Sequence, residues 1–271
     1  MAGANANGNG TSSKGELYMR EAKFPEDFEG VLECATKAFN TDPCFMYFGN
    51  VQELGPNGLL KPENEKGLRA FMSFIIRTCI DMKTIFTVIA DPNSKAVNGG
   101  ERIAAAIYWV PANQRIALYQ LRRLTMGGLF DLLRNWGLGC VDKITTQYLD
   151  KCHHAFQVAF KKRELKRSVD DTWYLNLAVT DPEYQGRGLM SRLVREHYRL
   201  YPEDIITIEA TTPKVRDQYA HLGFEILQDE FMLGGGKIGR DGLPKKGEEA
   251  TGTPVYPMIK WPASWDQVTP K

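Results

Sequence analysis

Apolar side chains recur along this chain in two rhythms, and the changes of rhythm divide it. Residues 16–21 (Glu-Leu-Tyr-Met-Arg-Glu) alternate and predict a first strand. From Pro25 the step lengthens: Phe28, Val31, Leu32, Ala35 and Phe39 fall on one stripe of a helix. A loop rich in Gly, Pro and aromatic residues is expected next, through Asp42, Pro43, Cys44, Phe45, Met46, Tyr47 and Phe48. Leu68, Phe71, Met72, Ile75, Ile76 and Cys79 then mark a second helix. Residues 84–90 form a β-branched run that stops at Asp91-Pro92-Asn93, a turn signature. Residues 102–110 read as the returning strand of a hairpin.

Residues 112–167 break the strand rhythm. Ile144, Tyr148, Cys152 and Phe156 recur every four residues, and Leu118, Leu121, Leu129, Leu132 and Leu133 also suit helices. The closing charged run, 161–167, reads as a solvated helix end. Beyond it the pattern predicts a strand (172–179), a helix (187–200), a strand (205–210), a short helix (214–222) and a strand (223–233). A flexible Gly/Lys-rich loop, 234–254, leads to a last strand at 255–259. Residues 1–15, mostly Ala, Gly, Asn and Ser, cannot offset their ordering entropy and are expected to be a disordered lead-in. The expectation is one α/β domain over 16–271, with 112–167 as a helical insertion between strands 3 and 4.

Charge narrows the partners. Of 271 residues, 34 are Lys or Arg and 33 are Asp or Glu, a net charge of +1, which leaves no global field to attract nucleic acid or an anionic membrane. The longest apolar stretch, 103–110, is too short to span a bilayer. No secretory signal pattern opens the sequence, so a cytoplasmic location is expected. Cys34, Cys44, Cys79, Cys140 and Cys152 are odd in number and widely spaced, which favours reduced, buried thiols. Cys152-His153-His154 places adjacent histidines in different directions on a helix, so no metal is expected.

The segment richest in chemistry is Leu175-Asn176-Leu177-Ala178-Val179-Thr180-Asp181-Pro182-Glu183-Tyr184-Gln185-Gly186-Arg187-Gly188-Leu189-Met190. A buried strand ends in a turn, and two glycines open an amphipathic helix. Glycine lets backbone N–H groups approach a ligand, and the helix N-terminus offers unpaired donors and a positive dipole end. That is a cradle for a diphosphate, to which Arg187 and Arg192 can add charge. The spacing matches neither a nucleoside-triphosphate loop nor a dinucleotide fingerprint, since no Lys-Ser/Thr pair follows and Leu189 to Ser191 supply no third glycine. A second motif follows one strand and one helix later: Ile206-Thr207-Ile208-Glu209-Ala210, then Tyr219-Ala220-His221-Leu222-Gly223-Phe224.

Gln-Gly-Arg-Gly-Leu-Met after a strand, with Tyr-x-x-Leu-Gly-Phe at this distance, resembles the GNAT superfamily of N-acetyltransferases. The Ile-Glu-Ala-Thr-Thr-Pro stretch and the long helical interval look most like its puromycin N-acetyltransferase-like branch and fungal relatives. Two departures stand out: Met190 replaces a small residue, and Thr211, Thr212 and Pro213 stand where many members carry an asparagine. The resemblance implies a mixed, mostly antiparallel sheet flanked by helices, with acetyl-coenzyme A as co-substrate and no metal. It implies that Leu177, Ala178 and Val179 pair with the pantetheine arm. Gln185, Gly186, Arg187, Gly188, Leu189, Met190 and Ser191 would wrap the pyrophosphate.

By the same resemblance Tyr219 matches the tyrosine that protonates the departing thiolate, a task suited to a phenol of pKa near 10. Glu209 is the candidate general base, with an ordinary edge glutamate paired to a basic side chain as the alternative. Phe39, Asp42, Phe45 and Tyr47, with Trp109 or Tyr108, are candidate acceptor contacts that suit a flat or amphipathic amine, Asp42 holding its ammonium. The expected activity is acetyl transfer to a small primary amine by direct attack in a ternary complex. A protein N-terminal or lysine acetyltransferase, and an acyl-coenzyme A-binding module without turnover, stay open.

Overall fold

The computed structural model describes residues 15–82, 84–115, 120–227 and 231–267. The lead-in, Gly15 excepted, and Leu118 lie outside them. One eight-stranded sheet organises the chain. Its strands are β1 (Tyr18–Glu21), β2 (Ile85–Lys95), β3 (Glu101–Val110), β4 (Trp173–Thr180), β5 (Ile206–Ala210), β6 (Glu225–Ile226), β7 (Phe231–Leu233) and β8 (Thr253–Lys260). They run in the order β1-β2-β3-β4-β5-β8-β6, with β7 also on β8. Every pairing is antiparallel except β4 with β5.

The predicted hairpin is β2 and β3. β3 is buried on both faces, and the small residues Ala104, Ala105 and Ala106 let helices come close on either side. On one face lie α1 (Phe28–Ala38) and α3 (Pro62–Asp81), with Gly30 of α1 against Ile103, where a Cβ would stand 2.9 Å from the Ile103 side chain. On the other face α8 (Leu189–Leu200) and α9 (Pro213–His221) cover Ile89, Ile107, Leu175 and Ile208. Between β3 and β4 come α4 (Leu121–Gly127), α5 (Leu129–Trp136), α6 (Gly139–Ile144), a π-helical turn (Thr145–Leu149) and α7 (Asp150–Lys162).

Three expectations are corrected. The segment taken for a loop after α1 is a helix, α2 (Pro43–Phe48): Asp42 caps it, Pro43 opens it, and Cys44 to Phe48 are all buried. Its lack of exposed polar positions, not its Pro and Gly, decided the outcome. The four-residue recurrence from Ile144 to Phe156 is interrupted by the π turn, whose wider turn re-phases the helix at Tyr148. The strand expected over 223–233 is two short strands at different points of β8. Within 234–254 the chain packs against α2: a Cβ on Gly242 would meet the Pro43 carbonyl oxygen at 2.1 Å.

Candidate active site

The sheet opens where its one parallel pair ends. β4 and β5 pair only at Trp173 with Ile206 and at Tyr174 with Thr207. Beyond that rung, among the described residues, no strand pairs with β4 on its β5 side, while β3 still pairs with its other edge from Leu175 to Thr180. Asn176 is an extra residue in β4, since Tyr108 faces Leu177 and Trp109 faces Leu175. Leu177, Ala178 and Val179 therefore lie along an opened strand edge that starts at a bulge.

At the far end of the opening stands the glycine turn. Gly186 and Gly188 have φ of 78° and 70°, and a Cβ on either would meet nothing within 4 Å. Backbone conformation demands glycine there, and the space beside it is open. Gln185 through Gly188 are exposed, and α8 begins with no side-chain cap and no acid in its first turn. The first bond of α8 joins Arg192 N–H to Gly188 O, so the amides of Leu189, Met190 and Ser191 precede its ladder. The turn is fixed from behind. Asp181, buried, accepts from the Glu183 amide at 3.0 Å and from Arg102 Nη2 at 2.8 Å, and the Tyr184 hydroxyl donates to Asp91 at 2.6 Å.

Glu209 sits on β5 just past the last rung. Tyr174 Oη donates to its Oε2 at 2.8 Å, and the Tyr148 hydroxyl of the π turn acts on it as well. Enclosure away from water raises its pKa to about 7, against the opposing pull of these two hydroxyls and of the Arg115 charge. Among the described residues no Lys or Arg forms an ion pair with it, so it is not a paired edge glutamate. A carboxyl that titrates near neutrality, at the mouth of a split sheet, is suited to taking up and releasing a proton at physiological pH.

Tyr219 of α9 is buried, edge-on to Phe224 with ring centroids 5.5 Å apart. Burial pushes its phenol well above the usual range, so the hydroxyl stays protonated and available as a donor. The residues expected to meet an acceptor are placed differently. Trp109 is 1% exposed and stacked on His197 of α8 at 3.8 Å: it is a core residue beneath α8. Tyr108 points to the other face, against Phe86 at 4.4 Å.

Asp42 has both oxygens engaged, Oδ1 with the amides of Cys44 and Phe45 and Oδ2 with the Thr211 hydroxyl, which ties α2 to the end of β5. Desolvation raises its pKa. Phe45 is buried against Phe39, Phe48 and Phe71, and Phe39 is half-buried at the edge of that cluster. Tyr47 donates to Gln147 at 2.6 Å and lines a pocket of about 500 Å³ between α2, α6 and residues 237–244.

Sequence reasoning missed Tyr174, Tyr148 and Arg115, which surround Glu209. Only Tyr174 carried a usable signal, since it lies in the strand expected over 172–179, directly before Leu175. Among the described residues no group of three or more His, Cys, Asp or Glu is placed to hold a metal ion, and no helix is long and apolar enough to cross a membrane.

No protein-family model and no curated protein matches the sequence. Solved structures do match in shape. A histone acetyltransferase HPA2 and related acetyltransferase from Corynebacterium glutamicum has a TM-score of 0.50 at 18% identity, over 91% of this chain and 97% of its own. Arylalkylamine N-acetyltransferase 2 from Aedes aegypti has a TM-score of 0.51 at 13% identity, over 91% and 99%. The C-terminal condensation domain of Ebony, in complex with β-alanyl-dopamine, has a TM-score of 0.55 at 12% identity, over 90% and 98%. At these identities the likeness establishes a fold: the mixed, mostly antiparallel sheet of the N-acetyltransferases, flanked by helices.

Proposed function

We propose that this protein is an acetyl-coenzyme A-dependent N-acetyltransferase acting on a small primary amine. The observation that carries the reading is the split between β4 and β5, with a near-neutral carboxyl at one end and an open glycine turn before an uncapped helix at the other. The turn fits a diphosphate: its positive-φ glycines leave room, its residues are exposed, and no acid competes at the helix start. Backbone amides of 185–191 would hold that group, and the free β4 edge at 177–179 would pair with an amide-bearing arm. The co-substrate, when bound, supplies the activated acyl group.

The chain's own residues then divide the proton work. Glu209 withdraws a proton from the incoming ammonium, directly or through water, leaving a neutral nitrogen with a lone pair. Tyr219 presents a protonated hydroxyl to the departing thiolate. Unpaired N–H groups of β4 orient and polarise the acyl carbonyl. Direct attack suits the arrangement, since the five cysteines are buried and burial raises the thiol pKa of each.

The aromatic side chains of α2 are packed into the core, so the choice of an acceptor with a flat, apolar portion rests on the structural neighbours. Two of them point that way, one an arylalkylamine N-acetyltransferase and one bound to β-alanyl-dopamine. The test is thiol release from acetyl-coenzyme A across a panel of amines that begins with arylalkylamines. Amine-dependent release that Glu209→Gln removes is expected; release absent with every amine, despite donor binding, contradicts the reading.

A further inference from the structure

At the apex of the split lies a cation whose position no motif explained. Arg115, in the segment after β3, reaches across the last rung of the parallel pair: its Nη2 donates to Thr207 Oγ1 at 2.7 Å and to Thr172 Oγ1 at 3.2 Å. Both threonines are buried, and both hydroxyls donate elsewhere, Thr207 to the Trp173 carbonyl at 3.3 Å and Thr172 to the Val169 carbonyl at 2.7 Å. Their lone pairs are therefore left for the guanidinium. The guanidinium carbon lies 4.0 Å from the centre of the Tyr174 ring, and the Tyr174 hydroxyl donates to Glu209 at 2.8 Å. Threonine, arginine, tyrosine and glutamate thus form one line from the closed rung into the opening.

Burying a guanidinium is costly unless charge balances it. Among the described residues Arg115 makes no carboxylate contact within 4 Å; the carboxylates whose charge acts on it are Glu209 and Asp170, and Tyr174 offers it the face of a neutral ring. Its remaining function is therefore electrostatic and geometric together.

We propose that Arg115 is a positioning residue that holds the Tyr174 hydroxyl on Glu209 and stabilises the Glu209 carboxylate in its enclosed site. The catalytic meaning of this rests on Glu209 being the base. Enclosure pushes the carboxyl toward its neutral form; the Tyr174 hydroxyl, held in place beneath the guanidinium, and then the Arg115 charge itself draw it back toward the carboxylate. The other titratable groups around Glu209 carry no such charge. Tyr148 of the π turn is a neutral phenol, Cys152 of α7 is a neutral thiol, and Cys44 of α2, also a neutral thiol, acts on these two. β8 faces Glu209 with Pro257.

The experiment is a carboxyl-¹³C titration of the full chain labelled at glutamate, with Glu209→Gln identifying the resonance. The wild type should titrate near 7. Removing the nearby opposite charge in Arg115→Met should raise the midpoint by about one pH unit. Tyr174→Phe, which removes one hydroxyl and no bulk, should raise it by at least as much, and Arg115→Lys should bring the midpoint back toward that of the wild type. The acid limb of kcat/KM should move in parallel, with the high-pH plateau and the KM for acetyl-coenzyme A retained. An unmoved resonance in both Arg115→Met and Tyr174→Phe overturns the proposal. A limb that persists in Glu209→Gln overturns the base reading instead, so the two failures are distinguishable.

Discussion

The two ends of the split between β4 and β5 are built in opposite ways. The glycine turn at 185–188 is contiguous, exposed and shaped by its own backbone, with φ of 78° and 70° at its glycines. The Glu209 end is enclosed and assembled from distant segments: Arg115, Tyr148, Tyr174 and Glu209 itself. A site that grips a polyanion needs many aligned donors and access to water. A site that moves one proton needs a single group whose surroundings shift its pKa. The difference explains why one end was a motif and the other had to be folded to be seen.

The largest effect expected from breaking this contrast is at Glu209. Glu209→Gln should lower kcat by about 10²- to 10⁴-fold at neutral pH, while acetyl-coenzyme A binding measured by calorimetry stays as it was. Loss of donor binding in that variant would mean the two ends are not separable.

The same substitution should act oppositely on stability. Glu209 titrates near 7 in the folded chain, against about 4.3 when unfolded. The folded state therefore favours the protonated carboxyl: that stability is fully present below pH 4 and is lost as pH rises through 7. Glu209→Gln, always neutral, should be more stable than wild type at pH 8 by up to about 3 kcal/mol, and the gap should close at pH 4. Denaturant unfolding at the two pH values checks both parts, and an equal gap at each would show that the carboxyl is solvated.

At the other end, Gly188→Val should weaken donor binding by about tenfold or more, since a β-branched residue at φ 70° is strained by roughly 1–2 kcal/mol. The Glu209 titration should not move. Smallest is Asp42→Ala, which should cost about 1 kcal/mol of stability through the lost α2 cap. Its effect on KM for the amine should be minor, because both Asp42 oxygens already serve the fold. A KM change of tenfold or more would restore Asp42 as an ammonium contact.

Legibility in the sequence followed the range of the interactions. The pairing of β2 with β3, the helices α1, α3 and α8, and the strand–turn–helix at 175–200 rest on local periodicity and were readable, but β2 runs through Asp91-Pro92-Asn93 to Lys95, past the turn expected there. α2 was not, because its amphipathic rhythm is erased where all of Cys44 to Phe48 is buried. Trp109 misled for a related reason. Alternation along β3 says that Tyr108 and Trp109 face opposite ways, yet both faces of that strand are covered by helices. Glu209 could be picked out by position, but its partners could not. Arg115 lies 94 positions away in a segment without pattern, and Tyr148 reaches it through a π turn that a regular helical repeat conceals.

The measurement that bears most directly on the central claim is thermal unfolding with acetyl-coenzyme A, with desulfo-coenzyme A and adenosine nucleotides alongside. At about one hundred times its Kd, a ligand that binds only the folded chain adds about 2.7 kcal/mol. A Tm rise with the coenzyme A derivatives, exceeding that with adenosine nucleotides and reduced in Gly188→Val, is the result this account predicts. No rise with acetyl-coenzyme A at millimolar concentration would contradict it.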